Sequence, residues 1–270
     1  MPSEQLRKKC GGPGQRRGGP LRRLSLTATR ARRAVAGVAL GLGAALAPAV
    51  ALACDLALAL AHDVSHSVSR EEYALQTRGH AAAFRDPEVQ ALILEQGGIM
   101  VSLSHWSAAH YQEMKLPWRF LDSPAAIDAF ADDLAATLQT VEGFGTALGD
   151  LLAFMTTVWD GPAAACGRRV LDISGDGEAN EGQPVADARI ALLSRDVTIN
   201  GLAIRRREIP LNRGIYEYFR AQVIGGPGAF AMQARGFDDY ARAFKKKLLR
   251  ELSPPIVADR AAETPLGPSR

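Results

Sequence analysis

Residues 55–67 read DLALALAHDVSHS. The core of that stretch, Leu56 to Ala61, is apolar without a break, as a parallel strand covered on both faces requires. It runs straight into DVSHS, where Asp63, Ser65 and Ser67 alternate and so present three small oxygen-bearing side chains to one side of an extended turn. Both halves make demands on the rest of the chain. The strand needs parallel neighbours, and the oxygens need something to hold.

The neighbours follow in alternation. SREEYALQTRGHAAAFRD (69–86) reads as a helix, with Ser69 to cap it, Glu71 and Glu72 in its first turn, and Asp86 and Pro87 to stop it. GIMVSLSHWS (98–107) is a strand, and HYQEMKLPW (110–118) a short edge strand that pairs back through a tight turn. Two helices come next: SPAAIDAFADDLAAT (123–137), whose Ser-Pro start is a cap and a favoured first residue, and TALGDLLAFMTTVW (146–159). RRVLDISG (168–175) and VTINGLAI (197–204) are strands around a helix at 186–195. LNRGIYEYFRAQVI (211–224) is helical at its start, GAFAMQA (228–234) is a last strand, and 237–252 is an amphipathic helix with a basic end. Strands that alternate with helices imply an α/β fold, a doubly wound and mostly parallel sheet with helices on both faces. One such domain spans 54–252, and the tail 253–270 has no core pattern.

Charge divides the chain differently. Residues 1–33 hold ten Lys or Arg against one Glu, and 34–53 hold none, so the net +3 and the pI near 8.9 belong to the leader and the remainder is acidic. That removes the main support for a nucleic-acid partner. The leader itself is a basic segment, then the uncharged AVAGVALGLGAALAPAVALA, then a small-residue site at Ala51, Leu52 and Ala53. It is the plan of a signal peptide over 1–53, which sends the protein to the periplasm or the exterior with no membrane span after cleavage. Two other readings stay open. The 20 uncharged residues could just span a bilayer, though their Ala and Gly content makes a weak span. ALAC also resembles a lipidation site at Cys54, with Ala51 where Leu is usual.

Removal of the leader takes Cys10 with it and leaves Cys54 and Cys166 as a pair. Each opens a strand that ends in an acidic loop. If the two strands are parallel neighbours, the cysteines lie side by side at the far end of the sheet and bond, as exported chains permit.

In doubly wound sheets the ligand lies beyond the carboxyl ends of the strands, where strand order reverses. Two more segments end at that edge. GFGTALGD (143–150) offers Thr146 behind flexible glycines, and SGDGEAN (174–180) sets Asp176 between two glycines. Asp63, Ser65, Ser67, Thr146 and Asp176 form an all-oxygen set. With no clustered His or Cys to favour zinc or copper, it suits Mg²⁺ or Mn²⁺ with a coordination position left open.

The three loops, DVSHS, the Thr of GFGTALGD and the Asp of SGDGE, resemble the metal-ion-dependent adhesion site of von Willebrand factor type A domains. RRVLDISGDGEAN, TINGLAI and VIGGPGAF further resemble a family of exported bacterial proteins of unknown function that carry this domain. The resemblance implies that Ser65, Ser67 and Thr146 bind the ion directly, that Asp63 and Asp176 bind it directly or through water, and that a ligand's carboxylate completes the shell. It implies a binding module, not an enzyme, for a protein or cell-surface ligand with an acidic group.

His66 departs from that pattern, since its position is usually small. It is expected as a solvent-facing turn residue, and with Gly145 and Gly177 it is a candidate for the rim around the ligand. His105 and His110 are expected at the surface, and Arg205 to Arg207 as a solvated loop, with attraction of an acidic partner as the alternative because they follow a strand that ends at the ligand edge. A metal-assisted hydrolase is the enzyme alternative, but it lacks a base other than His66. A scaffold with a vestigial site is the structural one. GGPG (225–228) does not open a helix after the first strand, so it fails as a nucleotide fingerprint.

Overall fold

The computed structural model describes residues 54–140, 143–206 and 214–253. The expected signal peptide and almost all of the expected tail lie outside these residues. Six strands form one sheet in the order β3-β2-β1-β4-β5-β6. They are β1 (Cys54–Asp63), β2 (Ile99–Trp106), β3 (Gln112–Leu121), β4 (Cys166–Gly175), β5 (Val197–Ile204) and β6 (Ala231–Ala234). All neighbours are parallel except β2 and β3. The chain builds outward from β1 in one direction and then in the other, so order reverses between β1 and β4.

The repeat in β1 sorts the two layers. Leu56, Leu58 and Leu60 face a cluster formed with helices α1 (Arg70–Phe84), α2 (Pro87–Glu95), α3 (Pro124–Ala136) and α7 (Tyr240–Leu252). Ala57, Ala59 and Ala61 face the other cluster, formed with α4 (Leu148–Val158), α5 (Val185–Leu193) and α6 (Ile215–Tyr218). Alternating large and small side chains on a strand buried on both sides let the two helix layers pack at different depths. Among the described residues no helix is long and apolar enough to cross a membrane.

Several elements differ from expectation. Asp86 and Pro87 do stop α1, but Asp86 also accepts the Glu88 N–H at 3.1 Å and Pro87 is the first residue of α2, which was not foreseen. The edge strand β3 runs on to Leu121 with Pro117 inside it, tolerated because nothing pairs with its outer side. The segment after Gly214 is one turn of α-helix, then a π-turn over Phe219–Val223, and β6 starts only at Ala231.

Beneath α1 and α7 the sheet carries a buried polar string. Lys247 lies between two carboxylates, 2.6 Å from Asp172 and bonded to Glu251, which also accepts from Asn200 Nδ2 at 2.9 Å. Farther along, the Tyr240 hydroxyl donates to Ser174 Oγ at 3.1 Å and meets His80 Nε2 at 2.9 Å. His80 stacks on His62, and His105 pairs with the Tyr73 hydroxyl at 2.9 Å. His105 is therefore buried, not at the surface as expected, because α1 brings Tyr73 over it. Burial holds His62 and His80 well below the usual imidazole range and His105 down to about 3.

At the other end of the strands, Cys54 is paired in register with Cys166 and the two form a disulfide. The bond predicted from strand positions is present.

Candidate metal site

The carboxyl ends of β1 and β4 lie side by side, with His62 opposite Ser174, so the loops that follow leave from one place. Asp63 closes β1 on the α4 face, the opposite face to His62. Its Oδ1 accepts the Ser65 N–H at 2.8 Å, which folds the first loop back over the strand end. Ser65 Oγ and Ser67 Oγ stand 3.0 Å apart, and Ser67 Oγ donates to Asp176 Oδ1 at 2.8 Å. With the Ser67 proton committed to Asp176, Ser65 is the donor in the serine pair. Four of the five expected ligands thus form one connected set across the switch point.

Thr146 joins from the second loop. Its N–H donates to Asn180 Oδ1 at 2.8 Å, and its carbonyl accepts the Asn180 N–H at 3.1 Å. That reciprocal clasp fastens the Thr146 loop to the loop of Asp176. Ala147 N–H donates to Ser107 O at 2.7 Å and ties both to the end of β2. Thr146 Oγ1 lies 3.5 Å from where a Cβ on Gly177 would stand, so the hydroxyl faces the Asp176 loop.

The electrostatics suit such a set to a cation. Asp63 and Asp176 are both buried, and Asp63 Oδ2 has no hydrogen-bond partner among the described residues. Burial, and then the neighbouring charge of Asp176, push the Asp63 carboxyl up to about 7. Burial raises Asp176 as well, opposed by the Ser67 bond and by Arg206. A Cβ on Gly175 would stand 3.2 Å from Asp63 Oδ2, so the glycine leaves room at that oxygen. An orphaned carboxylate oxygen among hydroxyls is a donor set suited to a hard divalent ion. Among the described residues no group of three or more His, Cys, Asp or Glu is arranged to hold a metal ion.

Two residues stand differently from expectation, and a third has an unforeseen neighbour. Arg206 is not a solvated loop residue: its guanidinium donates to Ser67 O at 2.7 Å and lies 3.4 Å from Asp176 Oδ2. Among the described residues, one guanidinium stands against two carboxylates there. Gly145 is not an open rim position, because the Glu181 carboxylate packs directly over it while Oε1 accepts the Ala109 N–H at 2.7 Å. His66 is exposed as expected, but its ring packs edge-on against Phe144, with centroids 4.7 Å apart. Arg206, Asn180, Glu181 and Phe144 were not singled out from the sequence as site residues. Arg206 had a signal, its place just after a strand that ends at this edge. Gly177 adjoins the site, while Arg205 and His110 are exposed.

A six-stranded sheet of this order with hydroxyl and carboxylate loops at the switch point is the architecture of von Willebrand factor type A domains, and solved structures agree. The chain is similar to proximal thread matrix protein 1 from the mussel byssus, one structure of which has a zinc-occupied adhesion motif (TM-score 0.55, 14% identity, 74% of this chain and 48% of that one). It is similar to a von Willebrand factor type A protein from Catenulispora acidiphila (0.53, 13%, 74% and 43%) and to the pilus adhesin SpaC from Lactobacillus rhamnosus GG (0.53, 12%, 74% and 31%). At these identities the likeness shows the fold, and the chain spans about half the length of the mussel protein or less of the others. Within that class, the chain belongs to the family described as "Protein of unknown function (DUF1194)", whose profile matches residues 53–256. No curated protein matches the sequence.

Proposed function

We propose that the protein is an exported, divalent-cation-dependent binding module, not an enzyme, that recognises an acidic group on a protein or surface polymer. Mg²⁺ or Mn²⁺ is held by Ser65, Ser67 and Thr146, with Asp63 and Asp176 as the carboxylates. The observation that carries this reading is the pair of buried carboxylates joined through Ser67, one with an orphaned oxygen. Bound, the cation supplies a Lewis-acidic position for a ligand's carboxylate. This chain's own residues hold the ion's shell in register, and Arg206 limits the negative excess.

Export is supported by the leader's plan and by the Cys54–Cys166 bond, since disulfides persist in oxidising compartments. The bond also engages the Cys54 sulfur, which a lipid anchor at that residue would require. The mature chain would begin at Cys54, with residues 253–270 as a tail beyond the domain. That one similar fold is named a pilus adhesin and another carries zinc in its adhesion motif supports the same reading.

Calorimetric titration with Mg²⁺ and Mn²⁺ tests it, with Ser65→Ala/Ser67→Ala beside the wild type. Binding that the double variant loses is the expected result. Equal binding by both proteins would place the ion elsewhere and sink the proposal.

A further inference from the structure

The loops around the candidate metal site carry an apolar surface that ion binding does not use. Four large hydrophobic side chains are exposed among the described residues. Leu75 and Ile190 stand singly on α1 and α5. Phe144 and Leu138, 81% and 80% exposed, both lie on the connection from α3 to α4 that delivers Thr146.

That placement is built. Gln139 Nε2 donates to Val68 O at 2.8 Å, which fastens the residue after Leu138 to the loop that carries Ser65 and Ser67. Gly143 has φ of +85°, and a Cβ there would collide with Ala108 Cβ, so the chain turns hard against the end of β2 just before Phe144. The Phe144 ring then stands out from the loop against His66, the residue between the two candidate ligand serines. Gly145, the next residue, is covered by Glu181. The ring rests on His66, and most of its surface faces solvent.

An exposed aromatic side chain set in place beside a charged centre is the composition of an interaction hot spot. Resting on the metal-site reading above, we propose that Phe144, His66 and Leu138 read the neighbour of the coordinating acid: the partner is a protein segment with an Asp or Glu beside a bulky apolar side chain. Charge complementarity fixes the acid, because the ion and Arg206 share one edge of the loops. The apolar neighbour follows from the chemistry of the rim. Phe144 and Leu138 carry no side-chain polar atom, whereas the hydroxyls of an acidic sugar would lose water there without replacement hydrogen bonds. A lone acid would leave both apolar side chains in water.

Selection of random twelve-residue peptides displayed on phage, captured on the purified protein in Mg²⁺ and released with EDTA, tests this. The expected peptides carry Asp or Glu within three positions of Phe, Trp, Leu or Ile. They bind Phe144→Ser/Leu138→Ser at least tenfold more weakly at saturating Mg²⁺, and selection on that variant keeps the acid and loses the apolar preference. Peptides that share only the acid, or that bind both proteins equally, would overturn the inference. So would Phe144-dependent capture of a polyuronate in place of any peptide. Calorimetry separates the two levels: Mg²⁺ binding without such peptides removes this inference alone, and no ion binding removes the site reading as well.

Discussion

Ser67 Oγ donates to Asp176 Oδ1 at 2.8 Å, a contact between residues 109 positions apart that joins the first loop to the third. Its partner serine and the orphaned Asp63 oxygen complete a set that is polar, buried and short of positive charge.

The charge excess gives a prediction about Asp63. Its folded pKa of about 7 lies above the unfolded 3.8, so between those values the native state keeps a proton that the unfolded chain has released. Without metal, this group's contribution to stability therefore falls as pH rises from 3.8 to about 7 and is flat above that. Asp63→Asn keeps the Ser65 N–H bond and removes the charge. In EDTA it should be more stable than wild type by up to about 4 kcal/mol at pH 8, with the gap closing toward pH 4. Urea unfolding of both proteins across that range measures it. Excess Mg²⁺ should stabilise wild type alone, and an Asn variant that is the less stable in EDTA at pH 8 would refute the account.

The buried imidazoles act in the opposite sense, which is why the Asp63 test is a difference between two proteins. His62, His80 and His105 stay neutral in the fold far below pH 6.5, whereas unfolded histidines take up protons there. Stability from this group is full above about pH 6.5 and drains away as pH falls below it. In ¹⁵N–¹H spectra of the ring nitrogens, the three should show no titration between pH 5.5 and 8. A midpoint for any of them in that range would mean that the Tyr73, His80 and Tyr240 contacts are not closed in solution.

Lys247 lies between Asp172 and Glu251, and all three are buried. Burial and the neighbouring Asp172 push the Glu251 carboxyl up to about 8, so Lys247→Met leaves Asp172 as the uncompensated buried charge and should cost about 3–5 kcal/mol. Adding Asp172→Asn and Glu251→Gln should recover most of that loss, since no buried charge then remains there. Failure of the triple variant to recover would assign Lys247 a packing role instead. Thermal unfolding of the three proteins decides.

The disulfide closes a loop with a sequence separation of 112. In the chain-entropy account such a crosslink contributes about 4–5 kcal/mol by restricting the unfolded chain. Cys54→Ser/Cys166→Ser should unfold at a markedly lower temperature. Its Mg²⁺ affinity should stay within about twofold of wild type, because the bond and the candidate metal loops lie at opposite ends of β1 and β4. Loss of ion binding in a variant that remains folded would show that the two ends are coupled.

Much of this was legible in the chain because it is written locally. The unbroken apolar run marked β1, and three short loops of oxygen side chains marked the candidate site. What escaped depends on partners distant in sequence. His105 reads as a surface histidine until α1 sets Tyr73 over it. Arg206 belongs to a plain charge run until its guanidinium is found on Ser67 O, 139 positions away. Helix α2 was hidden for another reason: Asp86 and Pro87 end one helix and begin the next, and a stop signal looks the same as a start. Nothing in GFGTALGD itself says that Glu181 closes over Gly145.

The Cys54–Cys166 bond has a mechanical consequence. The described domain begins at Cys54, and its last helix ends beside the same edge of the sheet, where Arg168 donates to the Glu251 carbonyl at 3.1 Å. Both ends of the described domain are thus at one pole, and the candidate metal loops leave the sheet at the other. Tension that reaches β1 at Cys54 crosses at once into β4 through a covalent link. The load is shared between two central strands at the point where it arrives, so β1 is not peeled from the sheet one hydrogen bond at a time.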